Sequence, residues 1–161
     1  MKNKKNLGTI IILSIVGLLI IFSMLIKTGE QGGNSNETSG NIDPAALSEE
    51  VKEWYETTKK DEYVVTVIGL SYCGYCKQYK PVIEEITDDE NIALYYFDFD
   101  TLAEASSKDA DALEHTYDLE NYTGSSPYTF ITKNGEFIGD TVGYMDKDET
   151  TSFLKSLKVI K

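Results

Sequence analysis

An α/β fold, with a central mixed β-sheet flanked by helices, is predicted by three features of this 161-residue chain. Residues 64–70 form a β-branched, almost wholly apolar run of the kind that makes a strand buried on both faces. Immediately afterwards the pattern changes, and Cys76, Tyr79, Val82, Ile83 and Ile86 recur at three- and four-residue spacing between charged positions, which is an amphipathic helix. Residues 92–99 are a second strand-like run, and Asn134-Gly135 joins two more, 128–132 and 137–142, as a tight hairpin. The order helix, strand, helix, strand, helix, hairpin, helix requires parallel and antiparallel neighbours in one sheet.

From the N-terminus, residues 1–6 carry Lys2, Lys4 and Lys5, and residues 7–26 contain no ionisable group. Twenty helical residues rise about 30 Å, the thickness of a bilayer core. A signal peptide is the competing reading, but its apolar core is shorter and ends in small residues, whereas Met24-Leu25-Ile26-Lys27 offers no such cleavage site. The expectation is an uncleaved single-pass anchor. Three lysines precede the run and only Lys27 follows it closely, so residues 1–6 are expected in the cytoplasm and the rest outside the cell membrane. Residues 27–44 are rich in Gly, Ser and Asn and read as a flexible linker, leaving residues 45–161 as one domain. From Thr28 onward there are 11 Lys, no Arg and 27 Asp plus Glu, a net charge of −16. Such a domain is not expected to bind nucleic acid, and it should stand off from an anionic membrane surface.

Within the domain, residues 47–60 read as a helix with Ser48 as N-cap and Trp54 on the core face. Asp98 and Asp100 close the second strand; two carboxylates there most simply make a solvated turn. Residues 101–117 read as one helix holding His115, the only histidine. With two cysteines and one histidine a structural zinc site lacks ligands. Soft thiolates suit Cu(I), so a copper site from the dithiol plus His115 is the alternative metal reading, and the expectation is no metal and no cofactor. Residues 118–125 form a polar connection, and residues 147–158 a last amphipathic helix.

The chemistry concentrates at Cys73 and Cys76, the only cysteines, placed where the first strand turns into a helix. Free N–H groups and the positive end of the helix dipole favour a thiolate at Cys73, and such cysteines have pKa values of roughly 3.5–7.5 instead of about 8.5. Cys73 is therefore read as the attacking nucleophile. Cys76, one turn further in, is the resolving thiol that breaks the mixed disulfide and leaves an intramolecular bridge.

Cys73-Gly74-Tyr75-Cys76-Lys77, followed by Pro81 and Glu84-Glu85-Ile86, resembles the active-site helix of the thioredoxin superfamily, including its kinking proline. The intervening Gly-Tyr resembles that of periplasmic disulfide isomerases. Ser126-Pro127-Tyr128 resembles the family's cis-proline segment, and Lys133-Asn134-Gly135-Glu136 with Gly143 its last hairpin. The resemblance covers about residues 45–158 and implies a thioredoxin fold and a thiol–disulfide oxidoreductase, a reductase or isomerase acting on protein disulfides without a cofactor. It further implies that Pro127 packs against the dithiol and that Ser126, with Tyr72, Gly74 and Tyr75, contacts an extended substrate. With no third cysteine to relay electrons, a separate membrane or extracytoplasmic electron-transfer partner is expected, and the protein itself is expected to be a monomer. Two departures stand out. Tyr72 replaces the usual Trp before the first cysteine, and Val67 stands where the family carries a buried Asp, with Tyr96 replacing a nearby Lys. The Ser71-Tyr72-Cys73-Gly74-Tyr75-Cys76 segment is also similar to thioredoxin-like accessory proteins of bacteriocin systems. The rival from another class is a thioredoxin-fold binding or accessory module in which redox turnover is incidental.

Overall fold

The computed structural model describes residues 42–119 and 122–161. The expected N-terminal segment, the anchor at residues 7–26 and nearly all of the linker lie outside the described residues. Among the described residues, no helix is long and apolar enough to cross a membrane.

A 3₁₀ turn at Pro44–Ala46 leads into α1 (Glu49–Thr57), where the Ser48 hydroxyl accepts from the Val51 N–H at 3.5 Å and Glu49 and Glu50 complement the helix N-terminus. There follow β1 (Tyr63–Gly69), α2 (Gly74–Asp89) and β2 (Ala93–Asp98). Strand β1 runs parallel to β2, as a strand–helix–strand crossover demands, and antiparallel to β3 (Tyr128–Lys133), which pairs in turn with β4 (Glu136–Val142). The sheet order is therefore β2-β1-β3-β4, the mixed sheet expected from the sequence.

Alternation along the strands fills two core layers. Ile68, Phe97, Tyr128 and Phe130 face one side, where Val51 and Trp54 of α1 and Ala112 and Leu113 cover them. Val65, Val67 and Ile131 face the other, under Tyr79, Ile83 and Ile86 of α2 and Leu154 of the last helix. Each such side chain contributes about 1.5–3 kcal/mol by leaving water. Trp54 is fully buried, as its place on the core face of the helix predicts, and its indole N–H finds the Thr66 hydroxyl at 2.9 Å.

The segment read as one helix over 101–117 is two, α3 (Phe99–Ala105) and α4 (Ser107–His115). Ser106 breaks them with an extended backbone at φ −154°, ψ 110°, and its hydroxyl accepts from the Asp109 N–H at 3.2 Å, capping α4. A serine that bonds the backbone ahead of it competes with helix continuation, and here it wins. The connection after α4 is less polar than expected, since Leu119 is buried and Tyr122 packs on Tyr128 with ring centroids 5.0 Å apart. At the hairpin both Asn134 and Gly135 take positive φ, 53° and 76°, the requirement of the two-residue turn. Their N–H groups donate to the Lys60 and Thr58 carbonyls at 2.9 and 2.8 Å, tying the turn to the end of the α1 segment. Finally α5 (Lys147–Ser156) starts on a capping box between Asp146 and Glu149.

Candidate dithiol site

The site lies where β1 ends. Cys73 is the N-cap of α2, and its sulfur accepts from the Cys76 N–H at 3.1 Å. The two sulfurs are joined, with Cα atoms 5.2 Å apart, inside the range a disulfide permits. Cys73 is partly exposed and Cys76 is 1% exposed. One thiol can therefore meet a substrate while the other waits behind it. On reduction the Cys76 N–H at the start of α2 would be in place to stabilise a thiolate at Cys73. Pro81 lies inside α2 and, lacking an N–H, leaves the Lys77 carbonyl without its helical donor.

Facing the dithiol, the Ser126–Pro127 peptide bond is cis, the isomer of the family segment it resembles, and Pro127 is buried. The Ser126 carbonyl oxygen is 3.7 Å from Cys73 Sγ. Gly143, at φ +101°, donates its N–H to the Pro127 carbonyl at 2.7 Å, so the end of β4 holds this loop in place. Behind it the Tyr128 hydroxyl donates to the Asp140 carboxylate, and burial, first, and that bond push the phenol's pKa up.

The structure brings together Tyr72, Cys73, Gly74, Tyr75, Cys76, Ser126 and Pro127. Gly74 is exposed and its backbone opens the helix. Tyr72 and Tyr75 point large rings into solvent beside the cysteines. His115 is exposed in the last turn of α4. Among the described residues no group of three potential metal ligands converges.

Three partners escaped the sequence reading. Asp100 is not part of a merely solvated turn: its carboxylate accepts from the Ser71 N–H at 2.8 Å and also from the Ser71 hydroxyl, which holds the loop leading to Cys73. The Ser71 hydroxyl, then its N–H, keep the Asp100 carboxyl below the ordinary value of 3.8. Next, Tyr96 donates its hydroxyl to the Cys76 carbonyl at 3.2 Å; burial, then the charges of Asp98 and Glu84, push its pKa up to about 12, so it stays a neutral donor. Val67, the position of the family's buried acid, is fully buried opposite Tyr96 in the parallel register and opposite Thr129 in the antiparallel one. Third, Tyr144 sets its ring 6.3 Å from that of Tyr75. The available signals were weak: an Asp just past a strand, a Tyr in a strand, a Gly-Tyr after a hairpin.

Residues 49–158 match the thioredoxin-like domain family. Thioredoxin H2-1 of Oryza sativa subsp. japonica is 29% identical over 131 residues, covering 81% of this chain and 83% of that protein. Among solved structures, the thioredoxin of Malassezia sympodialis has a TM-score of 0.47 at 23% identity, covering 65% of this chain and 84% of its own. The oxidized mitochondrial thioredoxin 3 of Saccharomyces cerevisiae has a TM-score of 0.46 at 18% identity, covering 68% of this chain and 90% of its own. With a family match across most of its length and a Cys-x-x-Cys pair at disulfide distance over a cis-proline, the chain belongs to the thioredoxin-like domain family.

Proposed function

We propose that the protein is an extracytoplasmic thiol–disulfide oxidoreductase, anchored in the cell membrane by residues 7–26 and acting as a monomer on protein disulfides. The observation that carries the reading is the asymmetry of the pair: Cys73 caps a helix and is reachable, while Cys76 is buried one turn behind it. In the reductive direction the Cys73 thiolate attacks a substrate disulfide, one substrate sulfur leaves as a thiolate, and Cys76 then displaces the other. Two electrons pass to the substrate and the Cys73–Cys76 bridge remains, to be reopened by a dithiol-bearing membrane or extracytoplasmic partner. Ser126 offers backbone for pairing with an extended substrate segment. The narrower kinship with bacteriocin-system accessory proteins is part of the proposal and rests on the Ser71 to Cys76 motif alone.

The deciding experiment is reduction of a protein disulfide by the purified full-length protein with a dithiol as electron source. Turnover that disappears in Cys73→Ser supports an enzyme. Stoichiometric binding of a partner with no turnover supports the binding module. For the anchor, protease added to intact protoplasts should remove the domain, whereas mature protein starting near Lys27 in the medium would show cleavage.

A further inference from the structure

A rim of apolar and aromatic side chains surrounds the dithiol. Tyr72 and Tyr75 are 73% and 65% exposed, Val142 is 45% exposed, and Tyr144, at 39%, packs beside Tyr75. Large exposed rings gathered around one reactive group mark a contact surface. The rim is also held. Tyr144 meets the buried ring of Tyr79 edge-on at 6.4 Å and follows Gly143, whose N–H is bonded to Pro127. Tyr72 follows Ser71, which is tied to Asp100.

Charge selects what this surface would receive. Asp98 ends β2 and Asp100, in the first turn of α3, is bonded to the Ser71 loop, and from Thr28 onward the chain carries 27 acidic residues against 11 lysines and no arginine. Lys77 and Lys80 are the cations nearest in sequence, and the Lys80 ammonium sits over the Tyr96 ring at 4.7 Å. The same pairing recurs at Lys59 over Tyr55, 3.5 Å, and Lys133 over Tyr63, 4.5 Å. Tyrosine faces are thus one of the places where this chain seats its own ammonium groups, beside carboxylates such as Asp61, which also pairs with Lys133 at 3.7 Å, and the rim rings extend that chemistry to solvent.

We propose that the dithiol acts on disulfides in extended, lysine- or arginine-bearing segments, whose cationic side chains lie against the Tyr72, Tyr75 and Tyr144 rim while the cysteine meets Cys73. The inference rests on the oxidoreductase reading and adds the substrate class. The electron balance is that of the exchange above: the dithiol loses two electrons, and the substrate disulfide gains them and leaves as two thiols.

The test is a set of short peptide disulfides, identical except that the cysteine is flanked by Lys or Arg, by Ser, or by Glu, reduced by the full-length reduced protein in a neutral detergent. Bis(2-hydroxyethyl) disulfide, small and uncharged, reports the dithiol chemistry alone. The cationic peptides should react at least about tenfold faster than the Glu peptides at low ionic strength, a preference that narrows with salt. Tyr72→Ala combined with Tyr75→Ala should reduce what preference survives in high salt, and the paired Tyr→Phe changes should restore it, because the ring face is kept. Equal rates for Lys and Glu peptides, or faster Glu peptides, with the small disulfide still reduced, would overturn the inference and leave the oxidoreductase standing. Failure on the small disulfide as well would remove the oxidoreductase reading itself.

Discussion

The two cysteines differ in surroundings more than in chemistry, and the difference is set by one helical turn. Cys73 has the cap position and an N–H donor at 3.1 Å, while Cys76 sits in the packed base of α2. Alkylation of the reduced protein at mildly acidic pH should therefore label Cys73 first, and Cys76→Ser should accumulate mixed disulfides with substrates. Mass spectrometry of the adduct decides it, and label on Cys76 before Cys73 would reverse the roles. Gly69 is a second residue whose identity matters. A Cβ there would lie 2.7 Å from the Tyr96 hydroxyl oxygen and 3.0 Å from its ring, the same phenol that bonds to the Cys76 carbonyl. Gly69→Ala should cost roughly 1–3 kcal/mol of stability by overpacking, measured by denaturant unfolding. Combined with Tyr96→Phe, which removes the nearest atom but leaves the ring, the loss should be smaller than the two single losses added. Strict additivity would mean that the ring, not the hydroxyl, sets the clearance.

Elements with strong local signals were legible before any coordinates. The β-branched run became β1, the Asn134-Gly135 pair became the turn, and Ser48 became a cap, because each is decided within a few residues. The break at Ser106 was not, since a serine inside a helical pattern reads equally as a surface position until its hydroxyl takes the Asp109 N–H. Asp100 was read as a turn residue for a different reason: its partner Ser71 lies 29 residues away, and no local pattern joins them. That contact fastens the β1–α2 loop to α3, and it carries a pH signature. A carboxyl whose folded pKa is lowered stabilises the folded form above its unfolded value of about 3.8, and loses that contribution as pH falls through the lowered one. The stability difference between wild type and Asp100→Ala should thus be level from about pH 5 to pH 8 and shrink below about pH 4. Unfolding curves across that range check it. A difference that grows on acidification would mean that the ionised carboxylate is not what holds Ser71.

For the molecule as a whole, the proposed oxidoreductase reading makes the direction of electron flow depend on how well the reduced form carries a Cys73 thiolate. The helix N-terminus and the Cys76 N–H favour the thiolate and so a stronger oxidant. Opposing them are the net charge of −16 from Thr28 onward, the ionised Asp100 beside the loop that leads to Cys73, and a Gly-Tyr pair that puts no cation between the cysteines. One unit of thiolate pKa is worth about 1.4 kcal/mol, or about 30 mV for a two-electron couple, so single charges shift the balance measurably. The expected potential lies between about −270 mV, a cytosolic thioredoxin, and about −120 mV, a dedicated oxidant, in the range suited to reduction or isomerisation. Equilibrating the full-length protein with glutathione buffers and quantifying the Cys73–Cys76 bridge measures it. Asp100→Asn, which removes the nearby negative charge while keeping an acceptor for the Ser71 N–H, should move the value toward the oxidising end. A wild-type potential near −120 mV would show that the helix N-terminus outweighs the acidic field, and would make disulfide formation the function.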